Sequence, residues 1–241
     1  MAPNTGRKFD LGDASLHDEM GVSESSRLEV RWIVPGSAPP STDTWFARFP
    51  STTEEREDLN LVRPRLPNLA VKIRGAQALD VKEFRGTRGV LELSPFGEGR
   101  LESWRKWSFP FGHEGPSLEE PSGWRRVSKQ RKLTAFLPDK DIFVPALPAP
   151  AGILICSVEL SQVGVDDALW WTLAFESTGP EDRLQEAIEA TARRIGEPSV
   201  PAHLELDLTL SGPYSEWLKK LERRRSTDRL WRQAGSRHKE A

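Results

Sequence analysis

The sequence is poor in the residues that build disulfides and zinc sites. Its one cysteine among 241 residues, Cys156, cannot form an internal disulfide or a cysteine zinc site. Cys156 ends the apolar run 153–156, and we expect it to be a small buried hydrophobic side chain. The chain has four histidines, His17, His113, His203 and His238, and no two of them are spaced as metal ligands usually are. A metal centre built on cysteine or histidine is therefore not expected.

Long hydrophobic runs and a dominant charge sign are also missing. No apolar stretch approaches the ~18 residues needed to span a membrane, and the first residues lack the apolar segment of a signal peptide. We therefore expect no membrane partner and a cytoplasmic location. The net charge of −2, from 34 basic and 36 acidic residues, gives no global attraction to nucleic acid. Phosphate loops of the Gly-x-x-x-x-Gly-Lys type, His-Glu-x-x-His helices and Gly-x-Ser-x-Gly elbows are absent as well.

What the chain does contain is a series of short segments that alternate between apolar and polar residues. A hairpin is predicted from residues 69–74 and 78–84, joined at Gly75-Ala76-Gln77. Further strands are predicted over 28–34, 90–93, 124–137, 153–160 and 170–176, with weaker candidates at 44–49 and 141–144. Residues 86–89 are predicted to be a turn, 51–59 a short helix or turn, and 101–109 a strand or a short helix.

Helical patterns follow the strands. An apolar stripe predicts a helix over 180–195 that ends at Gly196, and 214–225 predicts a second, more basic helix. Many short strands followed by helices favour an α+β, mainly β fold: an eight-stranded antiparallel, tunnel-like β-barrel with helices near the C-terminus. We expect residues 1–25 to be a flexible leader, 26–225 the barrel domain with its helices, and 226–241 a flexible tail.

Charged residues occupy alternate positions along several of these strands. Lys72 and Arg74 share one face, Lys129 and Arg131 share another, and Glu29 and Arg31 a third. Two geometries fit this pattern. Either the charges face solvent around an apolar interior, or the apolar side is covered by helices and tryptophans while the charges line a tunnel.

A charged tunnel would have a definite chemistry. Converging lysines and arginines repel one another and leave a site for an anion, and a polyphosphate accepts hydrogen bonds from both side chains. Carboxylates on neighbouring strands would supply the oxygen ligands that Mg²⁺ or Mn²⁺ prefers, and such a metal polarises phosphoryl groups.

The order of these segments resembles the CYTH superfamily, also called the triphosphate tunnel metalloenzymes. The likeness covers roughly residues 27–220, including a Tyr214-Ser215-Glu216-Trp217-Leu218 piece similar to one near the end of some bacterial members. The matching strand motifs are Leu28-Glu29-Val30-Arg31-Trp32, Val71-Lys72-Ile73-Arg74, Leu79-Asp80-Val81-Lys82, Val127-Ser128-Lys129-Gln130-Arg131, Ser157-Val158-Glu159-Leu160 and Thr172-Leu173-Ala174-Phe175-Glu176.

The resemblance implies that an eight-stranded barrel encloses a triphosphate. Residues implied as phosphate ligands are Lys72, Arg74, Lys82, Lys129 and Arg131, and Arg31 is a further candidate for binding the substrate. Glu29, Glu159 and Glu176 are implied as ligands of Mg²⁺ or Mn²⁺. No catalytic residue is assigned.

The sequence departs from the family at its acidic positions. The family's Glu-x-Glu-x-Lys signature is replaced by Glu29-Val30-Arg31-Trp32-Ile33, and Ala174 lies two residues before Glu176 where a paired glutamate is often found. Lost carboxylates and an added arginine weaken metal binding. We therefore expect binding of a triphosphate, nucleotide or other polyphosphate, with weak or altered metal-dependent phosphohydrolase activity. The alternatives are an active Mg/Mn-dependent triphosphatase or nucleotidyl cyclase, and a non-catalytic protein-interaction domain without an anion site.

Two basic clusters allow other partners. Trp104-Arg105-Lys106-Trp107 and Trp124-Arg125-Arg126 interleave aromatic and basic residues, which fits single-stranded nucleic acid or cation–π packing at a barrel rim; we consider nucleic acid the less favoured partner. The basic helix 217–225 is a candidate contact for an acidic protein.

Overall fold

The strands of this chain have one apolar and one charged face, and the chain encloses the charged faces by closing its sheet. The computed structural model describes residues 22–63, 65–112, 115–116, 119–145 and 153–237, with side chains up to residue 225. The strands are β1 (Ser23–Pro35), β2 (Thr52–Leu61), β3 (Leu69–Arg74), β4 (Ala78–Glu92), β5 (Glu98–Pro110), β6 (Trp124–Leu137), β7 (Ile142–Pro145), β8 (Ile155–Val165) and β9 (Ala168–Thr178). The α-helices are α1 (Pro40–Phe46), α2 (Leu184–Gly196) and α3 (Tyr214–Arg237).

Eight of the strands form a closed antiparallel barrel. They are hydrogen-bonded in the order β2-β3-β4-β5-β1-β9-β8-β6, and β2 pairs with β6 to close the ring. Residues 124–133 of β6 pair with β2, while residues 134–137 pair with β7, which lies beyond the ring. The eight-stranded antiparallel barrel predicted from the sequence is confirmed, with one extra strand.

The hydrophobic core lies against the outer surface of the barrel. Val30 and Trp32 of β1, Val158 of β8 and Phe175 of β9 face outward and are fully buried. Helix α2 covers them with the stripe predicted from the sequence, Leu184, Ala187, Ile188, Thr191 and Ile195, and Ala192 is buried beside it. Cys156 is buried in this core, as expected, and burial raises the pKa of its thiol to about 12. The apolar faces are therefore covered from outside, which leaves the opposite faces for the interior.

The start of α3 closes one end of the barrel. Leu218 and Trp217 pack with Val127 of β6 and Val163 of β8 in a second apolar cluster. Lys219 donates hydrogen bonds to three backbone carbonyls between β2 and β3, those of Leu66 (2.6 Å), Pro67 (3.4 Å) and Leu69 (3.4 Å). We call this end of the barrel the plugged end.

Three local predictions were wrong. Residues 51–59 were expected to be a helix or turn, because their glutamates favour helices, but β2 forms there and pairs with β6 over ten residues. Residues 44–49 were a candidate strand, but Trp45 and Phe46 end α1 and face the core, since a run this short has no clear period. Residues 86–89 were expected to be a turn, but β4 is continuous there and carries bulges at Gly86 and Gly89, whose φ angles are 122° and 127°.

The remaining elements agree with the sequence or extend beyond it. Residues 101–109 lie in a strand, and the predicted helix 180–195 begins as a 3₁₀ turn at Glu181–Arg183 before α2. Helix α3 continues to Arg237, past the predicted end at Arg225. Most of the predicted leader, residues 1–21, lies outside the described part, and the division into leader, barrel and tail stays a prediction. Within the described ranges, no helix is both long and apolar enough to cross a membrane.

Candidate functional site: a charged barrel interior

All nine residues assigned to the site by sequence lie on the inward faces of the strands. Lys82 of β4 forms an ion pair with Glu29 of β1, although β5 lies between these two strands in the ring. Such a pair can form only across the interior of the barrel, so both side chains point inward. The nine are Glu29, Arg31, Lys72, Arg74, Lys82, Lys129, Arg131, Glu159 and Glu176. Of the two geometries that fitted the charge pattern, the structure therefore adopts the one with charges inside.

Arg31 is buried in this interior between two glutamates. Its Nε donates to Glu29 Oε1 at 2.6 Å, and its Nη1 donates to Glu159 Oε1 at 3.0 Å. Burial alone would lower the pKa of Arg31, but the two carboxylates outweigh burial and raise it above its ordinary value. The guanidinium is therefore a permanent positive charge between two glutamates.

Glu159 accepts hydrogen bonds from several cations at once. Besides Arg31, it is paired with Lys129 Nζ at 3.3 Å and Arg131 Nη1 at 3.5 Å. Burial would raise the pKa of Glu159, but Lys129, Arg31 and Arg131 hold it well below its usual range. Glu159 is therefore ionised and already surrounded by positive charge.

A second group of charges surrounds Lys82. Its Nζ donates to Glu29 Oε2 at 3.1 Å and to Glu176 Oε2 at 2.6 Å, and Glu176 is also paired with Arg27. Burial would raise the pKa of Glu176, but Arg27 and Lys82 hold it well below its usual range. Glu29 and Glu176 are thus bound to the same lysine.

Lys72 and Arg74 meet carboxylates that the sequence analysis did not assign to the site. Lys72 Nζ lies 3.0 Å from Asp58 Oδ2, and Arg74 Nε lies 3.5 Å from Asp80 Oδ2. Lys106 also pairs with Asp80, at 3.2 Å. The interior is therefore a network of both signs around the whole ring.

Sequence reasoning missed seven inward charges: Arg27, Glu54, Arg56, Asp58, Asp80, Glu102 and Lys106. Glu54, Arg56 and Asp58 lie on β2, which was expected to be helical, although their alternate spacing and alternating sign were a strand signal. Lys106 belonged to the aromatic and basic cluster that was considered for nucleic acid, and its neighbour Arg105 faces outward instead, 5.3 Å from the centre of the Trp107 ring. That cluster is thus divided between the two faces of β5.

Glu102 differs from the other acidic residues because it is held protonated. It pairs in register with Glu29 across β5 and β1 and is 2% exposed. Burial and the nearby Glu29 raise its pKa to about 8. Its Oε2 accepts a hydrogen bond from Trp104 Nε1 at 3.2 Å, while its Oε1 has no hydrogen-bond partner among the described residues. At neutral pH Glu102 therefore adds no negative charge to the network.

The network holds more positive than negative charge. Among the described residues of this network, nine inward cations face seven inward acidic groups, of which Glu102 is neutral: Arg27, Arg31, Arg56, Lys72, Arg74, Lys82, Lys106, Lys129 and Arg131 against Glu29, Glu54, Asp58, Asp80, Glu102, Glu159 and Glu176. Burial, together with neighbouring cations, lowers the pKa of both Lys106 and Lys129 to about 8. Each of these two lysines is nevertheless paired with a carboxylate, Lys106 with Asp80 and Lys129 with Glu159.

Exposure varies around the network. The side chains of Arg31 and Lys129 are 9% and 7% exposed, whereas those of Lys72 and Arg74 are 26% and 33% exposed. At the plugged end the Tyr214 ring covers Lys129, whose Nζ lies 4.8 Å from the ring centre. A cavity of about 380 Å³ lies where β2 and β3 separate, lined by Glu54, Glu55, Arg56, Glu57, Gly75 and Gln77. Three glutamates and one arginine line this cavity, so it is not itself a basic site.

The acidic residues do not fit a divalent metal in this arrangement. Glu29, Glu159 and Glu176 each accept hydrogen bonds from at least two lysine or arginine side chains, so their oxygens are already used and their charge is neutralised. Within the described ranges, no three His, Cys, Asp or Glu side chains are grouped to hold a metal ion. The Mg²⁺ or Mn²⁺ expected from the family resemblance remains a prediction.

Comparisons with known proteins leave the function open. No family model matches the sequence, and no curated protein matches it. Among solved structures, the S. pombe Pct1 RNA triphosphatase in complex with the Spt5 CTD matches at 10% identity and a TM-score of 0.32, over 71% of this chain and 81% of that one. The PH1819 protein from Pyrococcus horikoshii OT3 matches at 14% identity and a TM-score of 0.33, over 73% and 96%. The function of this chain has to be inferred from its own barrel interior.

Proposed function

We propose that the barrel binds a polyphosphate anion, such as triphosphate or the phosphate chain of a nucleotide, among its inward lysines and arginines. The observation that carries this proposal is the excess of cations over ionised carboxylates in a buried interior. Buried charges of one sign are costly unless they are paired. An anion with several oxygens supplies the missing negative charge and accepts hydrogen bonds from several donors at once.

Lys106 and Lys129 are central to this proposal. Both have pKa values lowered to about 8 by burial and by neighbouring cations, Arg27 beside Lys106 and Arg31 beside Lys129. Bound phosphate would reverse this effect, because a nearby negative charge favours the protonated amine. The carboxylates that now accept hydrogen bonds from these cations would compete with the ligand for the same donors.

The direct test is calorimetric titration of tripolyphosphate into the purified protein, once with EDTA and once with Mn²⁺. Lys129→Met should weaken binding about tenfold or more, while folding is preserved because Glu159 keeps Arg31 and Arg131. Lys132→Met is the matched control, since Lys132 lies on the same strand but faces outward and pairs with Asp43 at the surface. Absence of binding in both buffers, or equal loss in the two variants, would refute the proposal.

The resemblance also implies the finer alternatives of a triphosphatase or a nucleotidyl cyclase. Either predicts release of phosphate or pyrophosphate from tripolyphosphate or a nucleoside triphosphate when Mg²⁺ or Mn²⁺ is present. The same protein samples can be assayed for this release, which separates turnover from binding alone.

A further inference from the structure

We propose that Arg31 is a resident cation that takes the place of a divalent metal between Glu29 and Glu159, so that anion binding in this barrel is independent of metal. The statement about anions rests on the proposed function, whereas the statement about Arg31 can be tested without any phosphate. The inference is carried by the placement of Arg31, Ala174 and the two glutamates.

The register of three neighbouring strands makes room for this arginine. Arg31 of β1 and Glu159 of β8 are both cross-strand partners of Ala174, which lies between them on β9. Ala174 is 1% exposed, and its methyl side chain leaves space for the Arg31 guanidinium to reach Glu159 over the middle strand. The ion pair between Arg31 and Glu159 therefore depends on a small side chain at position 174.

The hydrogen bonds of Arg31 match the role of a bridging ion. The guanidinium binds one oxygen of Glu29 and one of Glu159, and its Nη1 is also 3.3 Å from Thr172 Oγ1. A divalent cation between two carboxylates would have the same oxygen neighbours, but it can be removed by a chelator. A guanidinium stays charged at any physiological pH and cannot dissociate from the chain.

Arg31 also leaves donor capacity for a ligand. A guanidinium has five N–H groups in one plane, and the contacts with Glu29, Glu159 and Thr172 use Nε and Nη1. Its remaining N–H groups are suited to phosphate oxygens, together with Lys129 and with Lys82, which binds the other oxygen of Glu29. A fixed cation of this kind binds and orients an anion, whereas it supplies no bound water for hydrolysis.

The first experiment measures Mn²⁺ binding by electron paramagnetic resonance, without phosphate. Wild-type protein should bind no Mn²⁺ at the barrel, Arg31→Met should bind it weakly, and Arg31→Glu at least about tenfold more tightly than Arg31→Met, because carboxylate charge sets affinity. Arg27→Met is the matched control: it removes a cation from the same face of β1, but Glu176 keeps Lys82. It should behave like wild type.

Two results would overturn the proposal. One is stoichiometric Mn²⁺ binding by the wild type that Glu159→Gln abolishes. The other is Mn²⁺ binding that is no stronger in Arg31→Glu than in Arg27→Met.

A second measurement needs no variant and so does not depend on how the variants fold. The wild type should bind tripolyphosphate in EDTA, and excess Mn²⁺ should not tighten this binding, because Mn²⁺ complexes the phosphate oxygens of the ligand and lowers its charge. Binding that requires Mn²⁺ refutes the role of Arg31 but keeps the proposed function, whereas no binding in either buffer refutes the proposed function alone.

Discussion

The two faces of the barrel wall are held by different forces, although they belong to the same strands. Outside, Trp32 and Phe175 pack with edge-to-face geometry, their ring centres 6.3 Å apart, under helix α2. Inside, their sequence neighbours Arg31 and Glu176 belong to an ion-pair network. Packing depends on volume and is insensitive to pH, whereas the network depends on charge balance. The outer face is therefore expected to determine stability, and the inner face to determine ligand binding.

The largest effect is expected from the outer face. Phe175→Ala should reduce the free energy of unfolding by about 4 kcal/mol, because it opens a cavity between Trp32 and Phe96. Urea denaturation measures this loss, and Leu169→Ala on the same strand is the control, since Leu169 is 52% exposed. Loss of affinity for tripolyphosphate in the folded Phe175→Ala protein would contradict the assignment of stability to the outer face and ligand binding to the inner face.

The next largest effect comes from unbalancing the inner face. Glu159→Gln should cost about 3 kcal/mol of unfolding free energy, because it leaves Arg31 and Lys129 buried with less negative charge around them. The same variant should bind tripolyphosphate more tightly in EDTA, since a competitor for these donors is gone. Weaker binding by this variant would show instead that the carboxylate takes part in holding the ligand.

The raised pKa of Glu102 predicts how the free energy of unfolding changes with pH. Its pKa is about 8 in the folded protein against 4.5 for a free glutamate, so the folded state binds the extra proton between these values and wild-type stability falls as pH rises through this window. Glu102→Gln imitates the protonated form and should be more stable than wild type by on the order of 2 kcal/mol at pH 7.

Urea midpoints at pH 5 and pH 8 test this expectation. The difference between Glu102→Gln and wild type should widen with pH, whereas the exposed Glu98→Gln on the same strand should track wild type. A constant difference would mean that Glu102 is ionised in the folded protein. Lys129 acts in the opposite direction at higher pH, because its lowered pKa makes stability rise between about 8 and 10.5.

The smallest effect is expected where neither face is involved. Lys220 and Glu216 pair at 2.9 Å on the exposed surface of α3. Lys220→Ala should change the free energy of unfolding by less than ~0.5 kcal/mol, since exposed pairs of this kind contribute little. A larger loss would indicate that the basic helix has a further contact, and pull-down with an acidic partner would then become worthwhile.

The alternation of charges predicted which residues share a face of a strand, but not whether that face points inward or how its charges are paired. Lys72, Lys129 and Glu159 could be placed on faces from their spacing alone, because a strand has a period of two. Their partners depend on which strands become neighbours when the ring closes. Arg31 and Glu159 are 128 residues apart and meet only because both flank Ala174. Local sequence carries no signal for such a contact.

The errors in local structure have a similar origin. The segment Glu54–Leu59 has helical propensity, but pairing with β6 along its whole length outweighs that preference. At Gly86 and Gly89 the glycines do have the backbone angles of a turn, yet the chain uses them for bulges within one long strand. Glycine identifies an unusual backbone angle, but whether the chain reverses there depends on the neighbouring strand.

The pairing of β1 with β9 also sets an order of events during folding. Residue 27 pairs with residue 178, and residue 35 with residue 170, so the ring cannot close until nearly three quarters of the chain is available. Until then the charges of β1 are hydrated and separate. Long-range pairing of this kind makes folding slow. During synthesis on the ribosome, the assembly of the interior therefore has to wait for β9.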